Sequence, residues 1–287
     1  MPTKIEKDAI SGRDTTGHEW DGIKELNTPL PKWWLYVFIA CIVFAIGQFA
    51  LYPSLPGITG YFHGTTGFSQ RVKVEQDVAS VAAQRAVYMD KIKALDFAQI
   101  RRDPQLYNVA LTAGRIAFAE NCQPCHGGGG VGRVGYPALG DDVWLWGGTL
   151  DAIQQTITVG IRSDHPNTRA NQMPAFGAMY KPAEMRAIVD YVMGLYGTPV
   201  AGADTVLGGQ LFASNCVDCH GEKGQGVMEK GGPPLAARVH LYGADRASVE
   251  RQIAQPHMGV MPAWGARLDA GTIKALALYV HQLGGGQ

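Results

Sequence analysis

The longest apolar stretch of the chain lies near its amino terminus. From Trp33 to Gln70 there is no Asp, Glu, Lys or Arg, and the 20 residues Trp33 to Tyr52 are dominated by Leu, Val, Phe, Ile and Ala. A helix of that length spans one hydrocarbon core of about 30 Å. Trp33, Trp34, Tyr36 and Tyr52 stand near its ends, where amphipathic rings favour headgroups, and Pro53 and Pro56 close it. Six acidic residues precede it and no small-residue cleavage pattern follows, which argues for a retained anchor over a cleaved leader. Arg13, Lys24 and Lys32 lie before the helix, and no basic residue follows it until Arg71, so the amino terminus is expected in the cytoplasm.

Beyond the anchor the pattern changes to a period of three and four. Val74, Val78, Val81, Tyr88, Ile92 and Leu95 form one stripe with charges between, which predicts an amphipathic helix over 71–100. Its cover is either its own globular unit or a partner subunit. Arg101 to Pro104 reads as a break, and the stretches Glu184 to Tyr196 and Gly271 to Leu283 read as helices of about three turns. No stretch alternates as a strand does, so the expected class is all-α.

From about residue 108 the chain repeats itself. Gly114, Phe118 and Asn121-Cys-Gln-Pro-Cys-His-Gly127 align without a gap on Gly208, Phe212 and Asn215-Cys-Val-Asp-Cys-His-Gly221. Pro137-Ala-Leu139 answers Pro233-Pro-Leu235, Met173-Pro-Ala-Phe-Gly177 answers Met261-Pro-Ala-Trp-Gly265, and Tyr191 and Tyr279 each follow their methionine by 18 residues. Residues 197–204 read as the linker between two copies of one domain. Composition sharpens this picture in two ways. The 37 glycines suit loops wrapped around a cofactor, and 25 basic against 25 acidic residues leave no net field that would favour nucleic acid. Of five cysteines, four belong to the two pentapeptides, leaving no pair for a structural disulfide; Cys41, in the apolar stretch, is expected to be a buried, inert thiol.

Cys-x-x-Cys-His at a helix end is an attachment signal for haem c. Two thiols, Cys122 and Cys125 or Cys216 and Cys219, bond the vinyl groups of one porphyrin, and His126 or His220 reaches its iron. A zinc site would not need a histidine directly after each pair, and a thioredoxin-like redox pair needs a βαβ setting. For the sixth ligand the repeat nominates Met173 and Met261, each before a stiff Pro-Ala-aromatic-Gly bend. Met258 has no counterpart in the first copy, and His165, His240 and His257 do not recur. Two haems c with His/Met iron leave no open position for oxygen, which points to electron transfer. Asn121, Asn215, Pro137 and Pro233 are expected to shape the pockets or orient the histidines; Trp144, Trp146 and Tyr242 are candidates for approaching the propionates, ordinary packing being the competing role. The expected architecture is an N-terminal segment, 1–32, a transmembrane helix, 33–53, a connecting segment, 54–107, and two tandem cytochrome c domains, 108–199 and 200–287.

Thr16-Gly-His-Glu-Trp-Asp-Gly-Ile23 and Glu25-Leu-Asn-Thr-Pro-Leu-Pro-Lys-Trp-Trp34, followed by the anchor and both motifs, resemble the diheme subunit III of cbb(3)-type cytochrome c oxidases, the CcoP/FixP family, over essentially the whole chain. The resemblance implies a single-pass protein of a bacterial inner membrane with periplasmic haem domains. It also implies that the subunit is not catalytic by itself. Such a subunit takes electrons from a donor cytochrome c or bc complex and passes them to the monohaem subunit and the catalytic haem-copper subunit that reduces oxygen. Carried over by motif, attachment falls on Cys122, Cys125, Cys216 and Cys219, and ligation on His126, His220, Met173 and Met261. Ligation within each domain is the default, while the short linker also permits exchange of the methionines. A diheme peroxidase-like enzyme, or a diheme carrier for another membrane dehydrogenase, is the alternative class.

Overall fold

The structure, a computed structural model, describes residues 4–237 and 240–284; the outermost residues of the expected first and last segments, 1–3 and 285–287, lie outside the described residues. The described chain is mostly helical and divides into two compact units, one ending at Val81 and one beginning at Ala82.

The first unit opens with a small element the apolar pattern does not reveal. Strands β1 (Thr15–Trp20) and β2 (Ile23–Leu26) form an antiparallel hairpin around Asp21-Gly22. Both turn residues have positive φ, +48° and +85°, as a tight two-residue hairpin turn requires. Helix α1 (Lys32–Leu51) is long and apolar enough to cross a membrane, and none of its residues is buried in the protein. Cys41, expected to be buried, is exposed along α1 because no described residue packs over it. The carbonyls at its end are not left open: Tyr52 N–H donates to Gln48, and Thr65 and Thr66 N–H donate to Ala50 and Leu51.

Helix α2 (Gln70–Ala94) begins in the first unit and ends in the second. The predicted stripe splits. Val74, Val78 and Val81 are exposed, whereas Ile92 is fully buried in a core with Ile100, Leu106, Ala110, Ala275 and Leu278, and Tyr88, Met89 and Leu95 pack against it. The predicted helix stops earlier than 100 because Asp96 caps a new one, α3 (Phe97–Arg102), in a reciprocal box with Gln99.

The second unit continues with α4 (Pro104–Asn121), α5 (Gln123–His126), α6 (Leu150–Val159), α7 (Pro182–Leu195), α8 (Thr205–Asn215), α9 (Val217–His220), α10 (Arg246–Ala254) and α11 (Ala270–Gln282). Its packing does not follow the order of the repeat. Helix α4 packs on α11, with α6 beside it, while α7 packs on α8 and α10. Residues 197–204 therefore turn between two helices in mutual contact, where the sequence pattern suggests a linker between two globules.

Close helix crossings fix these pairs. At Gly114 an added Cβ would lie 2.3 Å from the Ala275 carbonyl oxygen, and at Gly208 one would lie 2.4 Å from that of Ala187. Beside each crossing two rings meet, Phe118 with Tyr279 at 5.4 Å and Phe212 with Tyr191 at 5.3 Å. One core joins Phe118, Ile153, Ile157, Leu276 and Val280; the other joins Phe176, Ile188, Val189, Phe212 and Ile253.

Asp269 starts α11 by accepting from the Thr272 N–H at 3.0 Å. Burial pushes its carboxyl up, but bonds from the Thr272 side chain and backbone outweigh this, leaving it below the ordinary carboxylate value. A group whose folded value is lowered stabilises above its unfolded value and loses that effect as pH falls through the folded one. Asp269→Ala is expected to cost about 1 kcal/mol at neutral pH. Denaturation midpoints measured down a pH series should show the difference shrinking below the ordinary carboxylate range; a constant difference would contradict the capping role.

Candidate haem-binding sites

Helix α4 ends in the first motif and α8 in the second, and each passes directly into a one-turn helix that carries the rest of its pentapeptide. The Cys125 and His126 N–H groups both bond to the Cys122 carbonyl, at 3.1 and 2.9 Å. Cys219 and His220 repeat this on Cys216, at 3.2 and 2.9 Å. Two thiols and an imidazole are thus gathered on a single turn in each copy. Among the described residues no three His, Cys, Asp or Glu side chains converge as a metal-chelating group.

Each imidazole is oriented from behind. His126 Nδ1 lies 2.9 Å from the Pro137 carbonyl oxygen, and His220 Nδ1 lies 2.9 Å from that of Pro233. A carbonyl can only accept, so Nδ1 carries the proton and the Nε2 lone pair is left for a metal. Burial holds both histidines below the ordinary imidazole value, which favours the neutral, ligating form, and His220 is only 7% exposed. Burial also pushes Cys122 and Cys216 up to about 11, so both stand as thiols. The Asn121 and Asn215 amides donate to the Ala117 and Leu211 carbonyls and tie off the last turns of α4 and α8, and Asn215 also lines the cavity at the second motif.

The two methionines lie on crossing segments. Met261 packs against the core of Phe118 and Ile157, together with Cys122, Trp144 and Trp264. Met173 packs against the core of Phe212 and Ile253, together with Cys216 and Leu235. The backbone explains the crossing. Ile161 and Met261 exchange two N–H···O bonds of 3.0 Å each, and the Trp264 and Gly265 N–H groups donate to Ile157 and Thr158. In the mirror arrangement the Phe176 and Gly177 N–H groups donate to Ile253 and Ala254. Each methionine therefore packs in the core that holds the first cysteine of the other copy's motif, Met261 with Cys122 and Met173 with Cys216.

At the second motif a cavity of about 430 Å3 opens among Cys216, Cys219, His220, Met173, Phe176 and Phe212. Its volume falls in the range of cofactor pockets, and its walls are mostly apolar. His240 and Tyr242 also line it, and the buried His240 Nε2 has no hydrogen-bond partner among the described residues. Trp146, a propionate candidate from the sequence, lies under the Arg169 guanidinium at 5.3 Å and against Gly231.

A histidine tied to a proline carbonyl, two thiols on the same turn, and a methionine in the same core are the elements of a c-type cytochrome site. Two such domains on an apolar helix place the chain in the class of membrane-anchored c-type cytochromes. Comparison with known proteins narrows this. Residues 12–59 match the N-terminal domain of cytochrome oxidase-cbb3, FixP, and residues 109–192 and 203–280 match cytochrome c oxidase, cbb3-type, subunit III. A cbb3-type cytochrome c oxidase subunit FixP of Bradyrhizobium diazoefficiens is 48% identical over 290 residues, covering all of both chains. A subunit CcoP of Azospirillum brasilense is 44% identical, covering 98% of this chain and 99% of its own. The chain belongs to the FixP/CcoP family, the cytochrome subunit III of cbb3-type cytochrome c oxidases.

Proposed function

We propose that the chain carries two haems c and relays electrons, without catalysis of its own, from a donor cytochrome c or bc complex to the monohaem and haem-copper subunits of a cbb3-type oxidase. The observation that carries this reading is the doubled proximal turn, with His126 and His220 each oriented by a proline carbonyl at 2.9 Å. Cys122 and Cys125 would hold one haem and Cys216 and Cys219 the other. When bound, the haem supplies an iron that changes its charge by one without changing its ligands, and His/Met ligation favours a raised potential. The packing supports His126 with Met261, and His220 with Met173, as the residue pairs that would hold the two irons.

What the protein contributes is placement and exclusion of water. The proline carbonyls hold the imidazole protons on Nδ1, the buried cores keep solvent from the ring faces, and thioether bonds keep the group from leaving. Helix α1 would anchor the amino terminus in the cytoplasm, with both sites on the periplasmic side, in line with Arg13, Lys24 and Lys32 preceding it.

Mild detergent extraction tests the reading. The chain is expected to copurify with an oxygen-reducing complex and, after denaturation, to retain two covalent haems, one of which disappears in a Cys216→Ser, Cys219→Ser variant. Recovery free of any oxidase, or with covalent haem unchanged in the variant, would overturn it. Protease added to intact spheroplasts should digest the haem domains; protection of those domains would reverse the orientation.

A further inference from the structure

Among the described residues, only two other than glycine adopt a positive φ: Asp21, which the hairpin turn explains, and Arg162, at +52°. A side chain held in that region costs on the order of 1 kcal/mol or more, so its surroundings must impose it. Arg162 follows Ile161, the residue that pairs with Met261 at the crossing of the two halves. Its guanidinium is fixed by that crossing. Nε donates to the Gly259 carbonyl at 2.7 Å, and one Nη donates to Asn171 Oδ1 at 3.2 Å. Asn171 is itself held by donating to the Lys230 and Gly231 carbonyls at 2.6 and 2.7 Å.

The group so placed lines the cavity at the second motif. It is half-buried, and burial lowers its hold on the proton, with Tyr242 nearby acting in the opposite sense. Among the described residues no carboxylate lies within ion-pair distance of it. The other charged side chains on the lining are differently engaged: Arg133 stacks on Tyr136 and donates to the Pro124 carbonyl, and Asp141 accepts from the Val143 N–H. A half-buried cation kept by strain and neutral acceptors, with no acid to pair with, calls for an anion from outside the chain.

We propose that Arg162, from the half of the chain bearing the first motif, is a cofactor-binding residue for the second haem and pairs with one of its propionates. The proposal rests on the reading that Cys216 and Cys219 carry a haem. A fixed cation at this position raises the second haem's potential, because ferric haem carries one more positive charge than ferrous. Arginine keeps its proton throughout the working pH range, so the contribution is constant.

The test uses the full chain in its membrane complex. Arg162→Gly removes the charge while accepting the positive φ without strain, and Arg162→Lys keeps the charge. The second haem's signal is assigned as the one lost in the Cys216→Ser, Cys219→Ser variant. In potentiometric titration R162G is expected to shift the ratio of reduced to oxidised second haem about tenfold toward oxidised, a fall of about 59 mV for one electron. R162K should stay near the parent, and the first haem should not move. Loss of the second haem in R162G but not in R162K supports the same pairing. An unchanged second potential in R162G with both haems attached, or equal shifts or haem loss in both variants, would overturn it. Absence of covalent haem at Cys216 and Cys219 in the parent chain is a different failure, that of the underlying reading.

Discussion

Met173→Leu is expected to lower the potential of the haem held by Cys216 and Cys219, which follow it in the chain, and to leave that of the haem held by Cys122 and Cys125 unchanged. Leucine fills the methionine's volume, so the core of Phe212 and Ile253 should survive, but it offers no lone pair to iron. The thioether bonds that Cys216 and Cys219 would form do not depend on Met173, so haem content should also survive. Axial ligands set haem potentials across about 0.8 V, and loss of a thioether ligand should cost on the order of 100 mV. The sulfur–iron absorption should halve. Met261→Leu should give the reciprocal result at the first motif. Each change appearing at the haem of its own sequence copy would refute the exchanged ligation.

The second large effect is on folding. Gly208→Val would place a Cβ 2.4 Å from the Ala187 carbonyl oxygen and 2.7 Å from the Tyr191 Cβ. One neighbour is backbone and the other a Cβ, which moves only with its own backbone, so neither can swing away as a side-chain tip would. Overpacking of this kind costs on the order of 3 kcal/mol. Denaturant midpoint and haem retention should both fall, and Gly114→Val, against Ala275, should behave alike. Gly194 supplies the contrast: it lies in α7 with open space around it, and Gly194→Ala should stabilise by about 0.5–1 kcal/mol. A G208V protein as stable as the parent would mean that the helix crossing is looser than described.

Much of the architecture is legible in the sequence because its signals are local. Twenty apolar residues define α1 without reference to anything distant, and a Cys-x-x-Cys-His turn carries its own geometry. The repeat pairs positions that play the same part in the two helix crossings: Gly114 with Gly208, Phe118 with Phe212, Tyr191 with Tyr279. Equivalence, however, is not partnership. Because the two copies offer the same setting, either assignment of methionine to haem satisfies the pattern, and what brings Met261 near Cys122 and Met173 near Cys216 is the packing of α4 on α11 and of α7 on α8. For the same reason residues 197–204, small and proline-containing, read equally well as a linker or as a turn between packed helices.

The hairpin at 15–26 did carry a signal, the Asp21-Gly22 pair, but its strands are too polar to alternate. The valines of α2 show the reverse case, where a periodic stripe at 74, 78 and 81 has no cover among the described residues and only the turn around Ile92 is buried. Arg162 left no trace at all. A lone arginine in a loop is unremarkable until its backbone conformation and the two segments it joins are known.

The crossing of the halves also dictates the order in which the molecule can be finished. Gly114 and Ala275 lie 161 positions apart, and the ribosome makes α4 long before α11 exists to cover it. The first motif must wait, its apolar face open, while the second motif can close as soon as α10 follows α7 and α8. Maturation should therefore run backwards with respect to synthesis, the later pentapeptide settling first.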